Sequence, residues 1–280
     1  MRVPGDFRVF RGADGVAELL GATVVAFGKF DGVHHGHRAL LNRALAAGRR
    51  MSLPAGAVTF ERHPHAHLRN GRVPPALSGL ADRLRLLRDA GAAFVVLLPT
   101  DATVLGLAAE DFTREVLRDR MGVRLVVVGE NFRFGRGGAG DIGTLRRLVS
   151  VTGLDGVELG MVSVGGELVS ATRIREHLAC GDVDRAGDLL GRPYDVVGRL
   201  ADAAPRCLIR ISPARAVPAP GQYRASIGPL RPPEGRRTST VVAVHTSRQG
   251  QHCVEMDRPN DGVADGMVGH GVRVVFEGRA

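Results

Sequence analysis

Two histidines, His34 and His37, stand where a β-prone run gives way to a helical pattern. Residues 23–27 predict a strand, residues 38–47 predict a helix, and a turn containing glycine joins them. This arrangement favours an anion site, because the unpaired N–H groups and the dipole of the helix face the ligand. Helical residues three apart share a face. Both imidazoles are therefore expected to stabilise a bound polyphosphate as charge develops on it.

A second helix start, in residues 169–175, carries cations where the helix dipole disfavours them. Ser170 or Thr172 would suffice as a plain N-cap. A cap does not require Arg173 and Arg175, since cations at a helix N-terminus oppose the dipole. A bound anion would resolve this conflict, so we expect Thr172 and Arg175 to bind phosphate.

Two loops follow predicted strands and contain further candidates. The glycine-rich loop at 129–141 is interpreted as functional rather than merely mobile, because Phe132 and Phe134 are expected to pack on something. In residues 58–67, three histidines alternate with other residues. Their spacing fits neither common zinc pattern, so a loop that faces the substrate is favoured and no metal site is predicted.

Composition limits the class of protein. The 280 residues suffice for two domains, and the net charge of +9 comes almost wholly from arginine. The arginines are dispersed and aromatic residues are few, which argues against nucleic acid as a partner. The three unclustered cysteines suit a reducing compartment. No apolar run reaches membrane length and the N-terminus does not resemble a signal peptide, so we expect a soluble, cytoplasmic protein.

The pattern of elements changes along the chain. Up to about residue 190, strands alternate with helices, which predicts a parallel sheet wrapped by helices, with ligands at the carboxyl ends of the strands. Beyond Pro193, strand runs split by Pro- and Gly-rich turns predict a small antiparallel barrel or sandwich. The predicted domains are therefore residues 1–190 and 191–280. Predicted strands are 23–27, 55–60, 94–98, 125–128, 157–162, 207–211, 222–227, 239–245, 251–256 and 272–276; predicted helices are 38–47, 80–89, 109–120, 142–151, 173–179 and 184–190.

Five ordered motifs resemble the adenylyltransferase module of the prokaryotic bifunctional riboflavin kinase/FAD synthetase family. The resemblance covers about residues 20–198. It implies a Rossmann-like nucleotidyltransferase domain with a parallel sheet, followed by a small antiparallel β-barrel. The matches are G-x-F-D-G-x-H-x-G-H at 28–37, T-F-x-P-H-P in part at 59–64, V-G-x-x-F-x-F-G at 128–135, S-S-T-x-I-R at 170–175, and G-D-V with L-L-G-R-P-Y at 181–183 and 189–194.

The resemblance implies that ATP and FMN give FAD and pyrophosphate, with Mg²⁺ accompanying ATP. Such a transfer depends on positioning and charge stabilisation, so the acceptor phosphate would attack the α-phosphorus directly. The implied catalytic residues are His34, His37 and Arg175. The implied ATP-binding residues are Gly28, Phe30, Asp31, Gly36, Ser170, Thr172 and Arg173. The implied flavin- or acceptor-binding residues are Glu61, Arg62, His63, Asn131, Phe132 and Phe134.

The chain departs from the family in both modules. Ala171 replaces the second serine of S-S-T, and Arg62 replaces a proline beside the expected flavin site. After residue 200 the P-T-A-N segment of the kinase is missing, although residues 254–255 resemble the strand that carries its catalytic glutamate. We therefore predict a barrel without riboflavin kinase activity.

Two alternatives stay open at this point. The altered position 62 is compatible with a nucleotidyltransferase that acts on a different phosphate monoester in specialised metabolism. A non-catalytic flavin or nucleotide sensor is the other alternative. The intact histidines and the phosphate-binding pair argue against a sensor.

Overall fold

The computed structural model describes residues 7–62, 73–152, 154–159, 161–203, 206–230, 237–247, 251–257 and 269–280, with the backbone alone for 149–152, 156–159 and 202–203. The chain divides into two compact units. Unit 1 comprises Met1–Val73 and Gly79–Ser163, and unit 2 comprises Pro74–Ser78 and Val164–Ala280.

In the described part of unit 1, six strands form one sheet in which every pair of neighbours is parallel. Their order across the sheet is β1-β4-β3-β2-β5-β6. The chain thus runs outwards from β2 through β3 to β4, and then returns to the other side of β2 for β5. In open α/β sheets, ligands bind at the carboxyl ends of the strands where the order reverses, here β2 and β5. The strands are β1 (Arg8–Arg11), β2 (Thr23–Phe27), β3 (Ala55–Phe60), β4 (Phe94–Leu98), β5 (Val123–Gly129) and β6 (Asp155–Leu159).

Helices cover both faces of this sheet, which explains why its central strands are apolar without alternation. In β2, Val25 and Phe27 belong to one core cluster, while Val24 and Ala26 belong to the cluster on the opposite face. The helices are α1 (Val16–Leu20), α2 (His35–Met51), α3 (Leu80–Asp89), α4 (Ala102–Leu105), α5 (Ala109–Asp111), which continues as a π-helical segment (Phe112–Arg120), and α6 (Ile142–Thr152).

Unit 2 contains a closed barrel with the strand order β10-β13-β12-β11-β14-β9, in which neighbours are antiparallel. The barrel's interior is apolar, and Tyr223 and Phe276 are among its large buried residues. A hairpin and two helices precede it in the chain. These elements are β7 (Ser163–Val164), β8 (Glu167–Leu168), α7 (Ala171–Ala179), α8 (Val183–Leu190), β9 (Asp195–Ala203), β10 (Arg206–Ile211), β11 (Gly221–Pro229), β12 (Thr238–Thr246), β13 (His252–Asp257) and β14 (Gly271–Arg279).

The predicted fold class is confirmed, and the barrel replaces the alternative of a sandwich. Strands β2, β3 and β4 and helix α3 have the predicted bounds. The strand predicted at 157–162 is wrong in its bounds, because β6 comprises Asp155–Leu159. The next strand, Ser163–Val164, pairs with Glu167–Leu168 in a separate two-stranded sheet. The barrel strands all follow residue 190, and the domain boundary placed there stays a prediction.

Candidate active site

The turn that follows β2 has an unusual backbone. Gly32 has φ 76°, as expected for a glycine in a tight turn, but Phe30 and Val33 also have positive φ values of 52° and 44°. A β-branched residue with positive φ is a true outlier, and such strain persists only where the surroundings impose it. Both side chains are fully buried, and the Val33 N–H donates to the Phe30 carbonyl at 3.2 Å. The structure therefore fixes the turn directly before His34.

His34 is the N-cap of α2. Its Nδ1 accepts a hydrogen bond from the backbone N–H of His37 at 3.3 Å, and the residue is 6 % exposed. Because Nδ1 accepts, we assign the ring proton to Nε2. His34 therefore carries a hydrogen-bond donor on Nε2.

The His37 ring stacks on the His34 ring, with 3.7 Å between centroids and 17° between planes. Phe30 contacts its ring at a centroid distance of 5.0 Å. Burial, the neighbouring His34 and the charge of Arg83 lower the pKa of His37 well below the ordinary imidazole value. Within the described residues, its Nδ1 is buried and has no hydrogen-bond partner. The sequence predicted that these two imidazoles lie together at the start of the helix, and the stacking of the rings confirms this.

Arg83, in the first turn of α3, is a site residue that the sequence interpretation missed. Its Nη1 donates to the Lys29 carbonyl at 3.1 Å, and its Nη2 donates to the carbonyls of Phe60 at 2.7 Å and Glu61 at 3.2 Å. The Thr59 hydroxyl also donates to the Lys29 carbonyl at 2.9 Å. Arg83 thus joins the turn after β2 to the end of β3. A cation near the start of a helix was the available signal, as at Arg173 and Arg175.

The loop after β5 is held in place by backbone contacts. Phe134 and Gly140 exchange two hydrogen bonds of 2.9 and 3.0 Å, and the Arg136 N–H donates to the Leu107 carbonyl at 2.7 Å. Gly135 has φ 73°, and a Cβ there would lie 2.8 Å from the Ala109 nitrogen. The interpretation of this loop as more than a mobile surface segment is supported by these contacts.

The phenylalanines of this loop extend a cluster at the carboxyl ends of the switch-point strands. Phe132 contacts Phe27 at a centroid distance of 5.0 Å and stacks on Phe134 at 5.4 Å. Phe27 also stacks on Phe112 at 5.8 Å and contacts Phe60 at the same distance. Phe134 is buried in the core, whereas Phe132 is half-buried. Of the two, Phe132 has the more accessible ring for a ligand.

Three of the other predicted acceptor residues, Glu61, Arg62 and Asn131, lie in exposed positions. Glu61 pairs with Arg11 at 2.5 Å between Oε1 and Nη1, and Arg62 is exposed. The exposed Asn131 directs its Nδ2 to the Met161 sulfur at 3.7 Å. His63 lies outside the described residues. The acceptor roles of these four residues stay predictions.

The predicted ATP-binding residues of unit 1 flank the histidines in the sequence. Gly28 donates its N–H to the Val58 carbonyl at 3.1 Å, which continues the pairing of β2 with β3. Asp31 is half-buried in the turn, and Gly36 is half-buried in the first turn of α2. Their contacts with ATP stay predictions.

In unit 2, Ser170 is the N-cap of α7, and its Oγ accepts from the Arg173 N–H at 3.2 Å. Arg173 is exposed and donates from Nη1 to Glu176 Oε2 at 2.9 Å. Thr172 is exposed. The capping function considered for Ser170 is therefore present, and the Arg173 side chain already has a carboxylate partner.

Arg175 lies on the same helix and is half-buried. Its Nε donates to the Pro75 carbonyl at 2.7 Å. Pro75 belongs to the short segment of unit 2 in which Ala76 exchanges backbone hydrogen bonds of 2.8 and 3.0 Å with Ala214 and Ala216. Arg175 thus helps to hold this segment, and its predicted catalytic role stays a prediction.

Across the described ranges, no group of three or more His, Cys, Asp and Glu residues could hold a metal ion. In the same ranges, no helix is both long and apolar enough to cross a bilayer. Two stacked imidazoles lie at the start of α2, directly after strand β2, where the strand order of the sheet reverses. Neutral imidazoles with N–H donors can stabilise charge that develops on a bound phosphate.

Comparison with known proteins identifies relatives of the first part of the chain. The profile of the family described as FAD synthetase matches residues 17–173. The bifunctional riboflavin kinase/FMN adenylyltransferases of Escherichia coli (strain K12) and Pseudomonas fluorescens are 34 % and 33 % identical over 177 residues. That stretch is 63 % of this chain, and 56 % and 57 % of the two relatives.

A solved structure gives a match over most of the chain. It is the crystal structure of a protein from Streptococcus pneumoniae described as a macrolide-efflux protein, with a TM-score of 0.80 and 22 % sequence identity. The match covers 97 % of this chain and 90 % of that one. At this identity the likeness concerns the fold alone.

Proposed function

The chain belongs to the FAD synthetase family, and we propose that it joins the AMP moiety of ATP to FMN, giving FAD and pyrophosphate. The observation that carries this proposal is the stacked pair His34 and His37 on a rigid turn at the end of β2. The bifunctional relatives named above are described as FMN adenylyltransferases. Because the matched stretch is little more than half of their length, the activity of the present chain is a proposal.

In this reaction an FMN phosphate oxygen attacks the α-phosphorus of ATP as the bond to the β-phosphate oxygen breaks. The stacked histidines donate hydrogen bonds to the α-phosphate oxygens, on which charge increases. The resemblance to the FAD synthetase family assigns the binding of the leaving pyrophosphate to Thr172 and Arg175. No side chain acts as a nucleophile, since the acceptor brings its own phosphate oxygen.

Magnesium enters with ATP as part of the nucleotide substrate. Mg²⁺ keeps several waters and commonly binds substrate phosphates with one or two carboxylates. Such a site requires no protein cage, and within the described residues none is present. Asp31, half-buried in the turn before His34, is the carboxylate nearest in sequence to the histidines.

The experiment that tests the proposal supplies the purified chain with ATP, Mg²⁺ and one acceptor at a time. The acceptors are FMN and a panel of other phosphate monoesters, and the products are weighed by mass spectrometry. We expect FAD from FMN at the highest kcat/KM. A higher kcat/KM for another monoester would identify the alternative nucleotidyltransferase, and nucleotide binding without pyrophosphate release from any acceptor would identify a sensor.

We also propose that the barrel has no riboflavin kinase activity. The P-T-A-N segment is missing from the sequence. Glu255, on the strand that resembles the catalytic strand of the kinase, accepts from Arg206 Nη1 at 2.8 Å, and this bond lowers the pKa of the glutamate. A carboxylate stabilised in its charged form is a weaker base. Incubation with riboflavin and ATP is expected to yield no FMN; FMN formed by the pure chain would contradict this.

A further inference from the structure

Arg83 connects two parts of the site that the sequence keeps more than twenty residues apart. Among the described residues, its guanidinium donates hydrogen bonds to the backbone carbonyls of Lys29 in the histidine turn and of Phe60 and Glu61 at the end of β3. Arginine suits this function because its planar fork presents several donors in fixed directions. Lysine has a single charged nitrogen and cannot reproduce the fork.

Each of the two connected segments leads directly into predicted site residues. Lys29 precedes Phe30, which lies against the His37 ring. Glu61 precedes Arg62, the position at which the chain departs from the family. Loss of the Arg83 side chain would therefore remove the hydrogen bonds by which this residue joins the histidine turn to Phe60 and Glu61.

The charge of Arg83 also reaches the site. Two neighbouring titratable groups lower the pKa of the His37 ring: His34, which stacks on it, and Arg83. Burial together with both neighbours lowers the pKa of His37, so the ring is neutral at physiological pH. A cation without partners would be costly here, and the carbonyls of Lys29, Phe60 and Glu61 accept hydrogen bonds from Nη1 and Nη2 of this one.

We propose that Arg83 is a positioning residue for adenylyl transfer, which fixes the turn that carries His34 and His37 relative to Phe60 and Glu61 by joining the ends of β2 and β3. This inference rests on the proposed function for its kinetic consequence. The positioning itself concerns only the described contacts of unit 1, and a spectroscopic measurement can test it without any acceptor.

The test compares three variants. Arg83→Met removes both the fork and the charge, and Arg83→Lys retains the charge alone. Arg85→Met is the matched control, because Arg85 lies on the same helix, is 40 % exposed and pairs with Asp82 and Asp89. Thermal unfolding and far-UV circular dichroism establish whether each variant is folded. If Arg83→Met does not fold, the comparison of the wild type with Arg83→Lys remains.

The first measurement is an NMR titration of the histidine rings, in which the His37 resonance is identified by its loss in His37→Gln. We expect the pKa of His37 to rise in Arg83→Met and to stay low in Arg83→Lys and Arg85→Met. Addition of MgATP without an acceptor should shift the His37 resonance in the wild type and the Arg85 variant, and less in both Arg83 variants. These readouts do not depend on the identity of the acceptor.

The second measurement is the rate of FAD formation. A misplacement of about 1 Å can cost roughly 100-fold in rate, so we expect kcat to fall 10- to 100-fold in both Arg83 variants and to stay within twofold in Arg85→Met. If FMN is not the acceptor, the wild type will form no FAD in this assay either. The NMR response to MgATP then still tests whether Arg83 positions His37. An unchanged His37 titration and MgATP response in Arg83→Met would overturn the inference.

Discussion

The two helix starts that the sequence marks as phosphate sites differ in how complete they are. At the start of α2, the capping histidine is 6 % exposed, its partner ring is stacked on it, and the preceding turn contains two non-glycine residues with positive φ. At the start of α7, Thr172 and Arg173 are exposed, and both arginines of the motif already have protein partners. The first site is preorganised, while the arginine side chains of the second already contact other groups of the protein.

This difference suits the two functions proposed for the two sites. Groups that stabilise the transition state gain most from rigid placement, because no reorganisation is then needed during the reaction. Groups that bind a leaving product benefit from weaker binding, because the product must dissociate. We therefore expect substitutions near α2 to affect kcat and substitutions in α7 to affect the KM for ATP.

The largest expected effect concerns the core that supports the first site. Phe134→Ala should destabilise the protein by about 3–5 kcal/mol, because the ring is buried among other phenylalanines and its loss leaves a cavity. Denaturant unfolding measures this change. Phe132→Ala is the matched comparison; its half-buried ring should cost less stability. Equal losses of stability in the two variants would show that the loop is not anchored by Phe134.

Removal of one imidazole should be the largest change confined to catalysis. His37→Gln is expected to lower kcat by about 10²–10³-fold, the usual cost of losing one donor to a developing charge. His35→Gln, in the adjacent position, provides the control and should retain the rate of pyrophosphate release. A His37→Gln enzyme with wild-type kcat would contradict a preorganised first site.

A smaller effect is expected at the second helix start. Arg175→Met should raise the KM for ATP by about 10- to 100-fold, the range for losing a charge-assisted hydrogen bond. Arg173→Met should raise it less, since that side chain pairs with Glu176 in the absence of a ligand. Steady-state kinetics with varied ATP measures both values. A fall in kcat at constant KM would reverse the assignment of functions to the two sites.

The smallest expected effect is the dependence of stability on pH at the first site. The folded-state pKa of His37 lies below its unfolded value of about 6.5, so the unfolded chain binds the additional proton. The contribution of this group to stability is complete above about pH 6.5 and is lost as the pH falls towards the folded-state pKa, with a slope of at most about 1.4 kcal/mol per pH unit.

This pH dependence is measured as the free energy of unfolding at pH 7.5 and at pH 5.5. The wild type should lose more stability over this interval than His37→Gln, which has no ring to protonate. Equal losses in the two proteins would show that the His37 pKa is not lowered in the folded state.

The same contrast explains what the sequence could predict. Continuous apolar runs predicted the bounds of β2, β3 and β4 correctly. A strand that is buried on both faces has such a run along its whole length, so the run marks both of its ends. Strand β1 (Arg8–Arg11) was missed, since its residues are mostly exposed and two of its four residues are arginines. That His34 and His37 face the same spot was predicted from their three-residue spacing at the start of a predicted helix, whereas the stacking of their rings was not predicted.

Other features of the site were not accessible to sequence reasoning. The positive φ of Val33 contradicts the preference of a β-branched residue, and only the burial of its side chain accounts for it. The three carbonyl partners of Arg83 come from segments that only the sheet brings together. A charged residue at a helix start indicated a function, but its partners required the tertiary structure.

The most direct test of the proposed reaction follows labelled phosphates of ATP. The chain is incubated with FMN, Mg²⁺ and ATP labelled at either the α- or the γ-phosphate, and the products are separated. We predict that the α-label appears in FAD and the γ-label in pyrophosphate, in equal amounts. Transfer of the γ-label to the flavin, or no labelled flavin at all while ATP is bound, would contradict the account.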